Sequence, residues 1–143
     1  MSYETLIAEH GRIDMALGRL QRLIDADARD AGAVTIALSD LATDLEHHLA
    51  HEDSFIYPHM IASGNAGVSA TAQEFVEDFA QLRADWGVYL AEWNAECIGE
   101  DWLSFRFDTC RMIGRLAERV RAENELLYAA ALQTGAIRLR KAA

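Results

Sequence analysis

The sequence predicts an all-α protein, folded as an up-down-up-down antiparallel four-helix bundle. Apolar residues recur three and four positions apart along nearly the whole chain, which is the spacing of one helix face. The alternation of β-branched residues that indicates strands is absent. One proline and nine glycines in 143 residues leave few breaks in long helices. Four helices with short connections fold most simply as neighbours that alternate in direction.

The first two helices are predicted over residues 3–27 and 33–61. Pro58 lies near the end of the second and is expected to kink or end it, because proline cannot donate a helical hydrogen bond. Residues 63–67 form the clearest loop. The apolar line of the first helix consists of Leu6, His10, Ile13, Leu17, Leu20 and Ile24. The line of the second consists of Leu38, Leu41, Leu45, His48, Glu52 and Phe55.

The third helix is predicted to start at Thr71, whose hydroxyl would form a capping box with Glu74. After a break at residues 98–100, Asp101 is expected to cap the fourth helix, which ends at Gly135. The apolar line of the third helix consists of Phe75, Phe79, Leu82, Trp86, Tyr89 and Trp93. The line of the fourth consists of Thr109, Ile113, Leu116, Val120, Glu123 and Leu127.

Length and composition predict one bundle domain over residues 1–135 and a short basic C-terminal tail over 136–143. The net charge of −10 argues against nucleic acid or an anionic membrane as a partner. We find no apolar run long enough to span a bilayer. Two cysteines without a CxxC spacing favour a reduced, cytoplasmic protein. Nothing in the sequence indicates the oligomeric state.

Four polar residues stand in the apolar lines, and they are His10, His48, Glu52 and Glu123. A buried, unpaired carboxylate costs several kcal/mol, so such groups must be paired, neutralised or bound to metal. His48 and Glu52 lie four apart and share one helix face, from which both can reach one metal ion.

The helical rise places these polar residues at a common height. If the first turn lies near residue 30, His10 and His48 come within roughly 3 Å of the same level. If the third turn lies near residue 99, Phe75 and Glu123 are level in the same way. A shift of 71 residues lays Glu52 and Tyr57 on Glu123 and Tyr128, which indicates two related helical hairpins. The sequence therefore predicts one polar layer inside the bundle.

The segments His48-Leu-Ala-His-Glu52-Asp-Ser-Phe-Ile-Tyr-Pro58 and Leu6-Ile-Ala-Glu-His10 resemble the hemerythrin-like, or HHE cation-binding, family. The resemblance covers nearly the whole chain. It implies a four-helix bundle with histidines on the first and third helices, HxxxE on the second and fourth, and a carboxylate-bridged di-iron centre. The chain departs from this pattern at Phe75, where the third helix should offer its histidine. It departs again at Arg119, which opens the fourth-helix motif in place of histidine.

Three outcomes for the site follow from these departures. In the first, one metal ion, iron by resemblance and zinc or manganese by ligand chemistry, binds His10, His48, Glu52 and Glu123. In the second, the Arg119 guanidinium replaces the lost metal charge and forks onto Glu52 or Glu123 in a metal-free network. In the third, His51 or His59 rebuilds a second site, although we expect His47, His51 and His59 to face solvent.

The resemblance favours a metal-binding protein, with iron as the expected cofactor and O2, NO or iron as the species sensed. The alternative is a metal-free four-helix interaction module in which Arg119 supplies the missing charge. We find no nucleophile elbow, phosphate-binding loop or separate catalytic cluster, so the sequence leaves enzyme status open and leans towards a non-enzyme.

Overall fold

The computed structural model describes residues 1–139, and its regular structure over that part of the chain is helical. No helix in this range is both long and apolar enough to cross a membrane. The elements in chain order are α1 (Tyr3–Asp25), α2 (Ala31–His51), π1 (Glu52–Ile56), α3 (Tyr57–Ile61), α4 (Ala66–Glu92), α5 (Ala95–Glu100), α6 (Trp102–Ala122), π2 (Glu123–Leu127) and α7 (Tyr128–Thr134). The helix α1 packs on α2 and α6, and α4 packs on α3, α6 and α7.

Side-chain caps set where the helices begin. Asp101 accepts a hydrogen bond from the Ser104 N–H, so the cap predicted for the last long helix is confirmed. The cap predicted at Thr71 is wrong. Asn65, six residues before Thr71, caps α4 by accepting from the Val68 N–H. Thr71 is already inside the helix, where its hydroxyl donates to the Gly67 carbonyl.

Two single turns of π-helix, π1 and π2, interrupt the long helices. In each, a tyrosine N–H donates to the carbonyl five residues earlier, from Tyr57 to Glu52 and from Tyr128 to Glu123. Both turns coincide with the 71-residue repeat. Pro58 follows π1 in the first turn of α3, where its missing N–H is tolerated, so the helical path continues to Ile61.

The first π turn corrects one predicted core position. The helical spacing put Phe55 on the apolar line, but this side chain is 46% exposed. A π turn holds one residue more than an α turn, and the following residues rotate around the axis accordingly. Ile56 is therefore the residue that enters the core, with no exposed surface.

The apolar core is divided into two clusters. The first cluster contains Ile13 and Val120, and the second contains Leu6 and Leu127. Since His10 lies between Leu6 and Ile13 on α1, the predicted polar layer separates the two clusters. Buried hydrophobic residues therefore lie on both sides of the polar layer.

The segment after α7 folds back onto the start of the chain. Ile137 is 1% exposed, and the Tyr3 N–H donates to the Arg138 carbonyl at 2.9 Å. The domain boundary at residue 135 stays a prediction. Of the predicted basic tail, Arg140 and Lys141 lie outside the described residues.

We predict opposite stability changes for two glycine-to-alanine variants. Gly135 ends α7 with φ +75°, so Gly135→Ala should lower the free energy of unfolding by about 1–2 kcal/mol. Gly114 lies inside α6 with open space where a Cβ would stand, so Gly114→Ala should raise it by about 0.5–1 kcal/mol. Urea unfolding measures both. Equal changes in the free energy of unfolding of the two variants would contradict the left-handed backbone conformation of Gly135.

Candidate metal centre

The four polar residues of the apolar lines meet inside the protein. His10 extends from α1, His48 from the last turn of α2, and Glu52 and Glu123 from the first positions of π1 and π2. Each is at most 2% exposed. One ligand atom from each lies within 4.8 Å of the other three. The common height that the sequence predicts for them is therefore present in the structure.

The facing atoms are two imidazole nitrogens and one oxygen from each carboxylate. Nε2 of His10 and Nε2 of His48 are 3.0 Å apart. Oε1 of Glu123 lies 2.8 Å from the first of these nitrogens and 3.1 Å from the second. Oε1 of Glu52 lies 2.8 Å from Nε2 of His48. Four groups that normally bind protons or metal ions thus converge on one point.

The other nitrogen of each imidazole is held by a partner outside this group. Nδ1 of His10 donates to Oδ1 of Asn124 at 2.7 Å, and Nδ1 of His48 donates to Oε1 of Glu9 at 2.9 Å. A proton fixed at Nδ1 leaves the Nε2 lone pair for the site. Histidines that bind metal are generally oriented in this way by a carboxylate or amide oxygen.

Arg119 lies beside the carboxylates. It occupies the position at which the resemblance implies the histidine of the fourth-helix HxxxE motif. Its guanidinium donates to Oε2 of Glu123 at 2.8 Å, to the Phe75 carbonyl at 3.1 Å and to the Tyr57 hydroxyl at 2.7 Å. The rings of Phe75 and Phe79 each lie 4.6 Å from its central carbon. The predicted contact with Glu123 is thus present through one nitrogen, without the two-pronged geometry expected.

Two tyrosines complete the network, one on each side of the carboxylates. The Tyr57 hydroxyl donates to Oε2 of Glu52 at 3.1 Å while it accepts from Arg119. The Tyr128 hydroxyl lies 2.9 Å from Nε2 of His10 and donates to Oε1 of Glu52 at 3.3 Å. Burial and the nearby carboxylates raise the pKa of both phenols, so both stay neutral.

The two carboxylates differ in their affinity for protons. Burial and the charge of Glu123 raise the pKa of Glu52 to about 8. Burial also acts on Glu123, but hydrogen bonds from Glu52, His10 and His48 outweigh it and hold its pKa well below the usual value. For His48, burial lowers the pKa, yet hydrogen bonds to Glu123 and Glu52 prevail and raise it to about 11. His48 and Glu52 therefore bind protons at the position that a metal cation would occupy.

The donor set fits a metal ion. Adjacent ligands at right angles on an ion with bonds of about 2.1 Å lie about 3.0 Å apart. The contacts of 2.8–3.1 Å among the facing atoms match that spacing. Two imidazoles and two carboxylates suit iron, zinc or manganese. His10, His48, Glu52 and Glu123 could therefore hold one ion.

The remaining histidines do not occupy the half of the centre where Arg119 lies. His51 lies 2.5 Å from a carboxylate oxygen of Glu9, on the side of Glu9 turned away from His48. His47 is exposed, as expected, and its Nδ1 lies 3.5 Å from the same oxygen. His59 is exposed too. His51, which was expected to face solvent, is only 23% exposed, and with Glu9 and His47 it forms a second group of possible metal ligands. A second site that includes His51 therefore stays a prediction.

Sequence reasoning missed four partners of the site, namely Glu9, Tyr57, Asn124 and Tyr128. The two tyrosines carried a signal, because the 71-residue repeat aligns them with each other and each follows its glutamate by five residues. Glu9 precedes and Asn124 follows a predicted ligand, and no periodicity marks such neighbours as partners of a buried site. Only the packing of α1 against α2 places Glu9 beside His48.

Comparison with known proteins identifies the family of the chain. The model of the hemerythrin HHE cation binding domain matches residues 1–131. No curated protein and no solved structure shows significant similarity to the chain. The match covers far more than half of the sequence and includes all four converging side chains. The chain therefore belongs to the hemerythrin HHE cation-binding domain family.

Proposed function

We propose that this protein binds one metal ion, iron, through His10, His48, Glu52 and Glu123, on an up-down-up-down antiparallel four-helix bundle. The observation that carries the proposal is the convergence of four buried ligand atoms, two imidazole nitrogens and two carboxylate oxygens, within 4.8 Å of one another. Both imidazoles are bonded at Nδ1, so Nε2 of each faces the site, and the two nitrogens are 3.0 Å apart. A metal ion bound there would displace the protons that otherwise hold this cluster together.

The orientation of the carboxylates supports one ion rather than two. In each carboxylate, Oε1 faces the imidazoles, while Oε2 is bonded on the other side. A bridging carboxylate would present those two oxygens to two metals. Here Arg119 binds Oε2 of Glu123 directly and reaches Oε2 of Glu52 through the Tyr57 hydroxyl. The Arg119 guanidinium, a permanent cation, thus occupies the side of the carboxylates that a second metal ion would need.

The family makes iron the preferred ion and O2, NO or iron itself the species sensed, in a cytoplasmic protein. Burial of all four ligands to 2% exposure or less favours a diatomic gas over a larger ligand. When bound, iron would supply the redox and gas-binding chemistry. The residues of this chain would orient the imidazoles, neutralise the carboxylates and exclude bulk water.

A metal-free interaction module is the second candidate, and the completeness of the Arg119 network favours it. The guanidinium has three hydrogen-bond partners and two aromatic rings around it, all of which the protein itself supplies. Such a network would stabilise a bundle whose surface, rather than its core, carries the function. Metal uptake decides between the two candidates.

We predict that Glu52→Gln lowers iron uptake by about one ion per chain. The amide keeps the shape of the carboxyl group but is a poor metal ligand, so the fold should survive while the centre is lost. Iron is measured by mass spectrometry after anaerobic loading with Fe(II). The matched control is Glu125→Gln, the same change at an exposed position of π2, which should leave uptake unchanged.

Other results of the loading experiment would reject the one-ion proposal. Absence of bound iron in the unmodified protein would reject iron as the ion, and absence of zinc and manganese after the same loading would favour the metal-free module. Two irons with the visible spectrum of a bridged centre, both lost in Glu52→Gln, would establish a di-iron site in spite of Arg119.

A second prediction concerns the charge that Arg119 supplies. Arg119→Leu leaves the buried Glu123 carboxylate without its guanidinium and should lower the free energy of unfolding by about 3–5 kcal/mol. Arg115→Leu is the matched control on the same helix. Arg115 pairs with Asp85 at the half-exposed surface, so its loss should cost much less. Denaturant unfolding of the metal-free proteins measures both, and equal losses would refute the compensating role of Arg119.

A third prediction restores the missing half-site. Phe75→His combined with Arg119→His removes the guanidinium, trims the aromatic wall and returns two imidazoles to the side of Oε2. The double variant should bind about one more iron per chain than the unmodified protein. The single variant Phe75→His, which retains Arg119, is the control and should gain none. No extra iron in the folded double variant would count against a lost second site.

A further inference from the structure

Glu9 connects the buried centre to a second group of histidines nearer the surface. Its Oε1 accepts from Nδ1 of His48, and its Oε2 points away, towards His51 and His47. Nδ1 of His51 lies 2.5 Å from Oε2, and Nδ1 of His47 lies 3.5 Å from it. One ligand atom from each of the three residues lies within 4.8 Å of the other two.

The contact between Glu9 and His51 is not an ordinary hydrogen bond. Oε2 of Glu9 and Nδ1 of His51 are both buried, and neither has a hydrogen-bond partner among the described residues, although the atoms nearly touch. The Glu9 side chain is only 2% exposed. A buried carboxylate oxygen without a donor is costly. A cation bound by both atoms would satisfy them.

The two histidines have the spacing of a helical metal chelate. His47 and His51 lie four residues apart on α2, and their rings are 4.5 Å apart at an angle of 60°. Two histidines at this spacing on one helix can bind the same ion. Glu9 adds a carboxylate from the neighbouring helix α1. The imidazole and carboxylate donors suit a borderline divalent transition metal ion, of which zinc is the simplest representative.

We infer that Glu9, His47 and His51 form an outer binding site for a divalent transition metal ion, separate from the buried centre. Three protein ligands leave a coordination position for water, which is the arrangement of an open site. The side chain of His47 is 61% exposed and that of His51 is 23% exposed, so the ion can exchange with solvent. This inference does not depend on metal in the buried centre.

The shared carboxylate couples the outer site to His48. An ion on Oε2 draws negative charge away from Oε1 and weakens its hold on the His48 Nδ1–H. Occupancy of one site must then change the affinity of the other, and by linkage the effect is the same in both directions. Glu9 therefore acts on the buried centre as a positioning residue and binds the outer ion directly.

The experiment titrates the metal-free protein with Zn2+ by calorimetry and compares three variants. His47→Ala combined with His51→Ala should bind about one Zn2+ fewer per chain than the unmodified protein. His51→Ala alone should weaken that site at least about tenfold. His59→Ala, which removes an exposed histidine outside the cluster, is the matched control and should change nothing. A double variant that binds as much Zn2+ as the unmodified protein, with equal affinity, would overturn the outer site.

Glu52→Gln separates this inference from the proposed function. That variant lacks a ligand of the buried centre but keeps Glu9, His47 and His51, so the outer ion should still bind. In NMR spectra of this variant, Zn2+ should shift the ring signals of His47 and His51 and leave those of His59 in place. Ring signals of His47 and His51 that do not move on saturation with Zn2+ would also reject the outer site.

Discussion

The burial of two carboxylates in a helical core is the constraint on which the rest of the site depends. Glu52 and Glu123 are at most 2% exposed, and each would be costly without partners at both oxygens. The protein meets this requirement from two sides, with imidazoles at each Oε1, and with Arg119 and Tyr57 at the Oε2 atoms. The two sides differ in kind, because the guanidinium is a permanent cation whereas the imidazoles can exchange a proton for a metal ion.

The π turns place the carboxylates and their tyrosines together. An α-helix would put Tyr57 and Tyr128 about 140° around the axis from the glutamates five residues earlier. In a π turn the carbonyl of each glutamate accepts from the N–H of the tyrosine, which brings both side chains to one face. The same extra residue moves Phe55 to the surface and Ile56 into the core. A single local change thus sets both the site and the packing beneath it.

The sequence predicted the parts of this molecule that depend on periodicity. Helical spacing identified the all-α class, and hydrophobic lines identified four polar residues at core positions. Periodicity could not indicate where a helix changes pitch, so the prediction that Phe55 lies in the core was wrong. Nor could it show that Asn65, a residue of the predicted loop, caps α4 six residues before Thr71. The role of Glu9 could be recognised only from the packing of α1 on α2, because a residue beside an apolar line is expected to be exposed.

The charges of the polar layer favour a single cation on the imidazole side of the site. Arg119 offsets one carboxylate charge of the polar layer, and one dication would offset what remains. A second dication would leave an excess of positive charge beside a guanidinium that cannot lose its proton. Arg119 is also held by three hydrogen bonds between two aromatic rings, so it cannot withdraw without losing them together. The imidazole side has no such fixed charge, which favours the proposed binding of a single ion there.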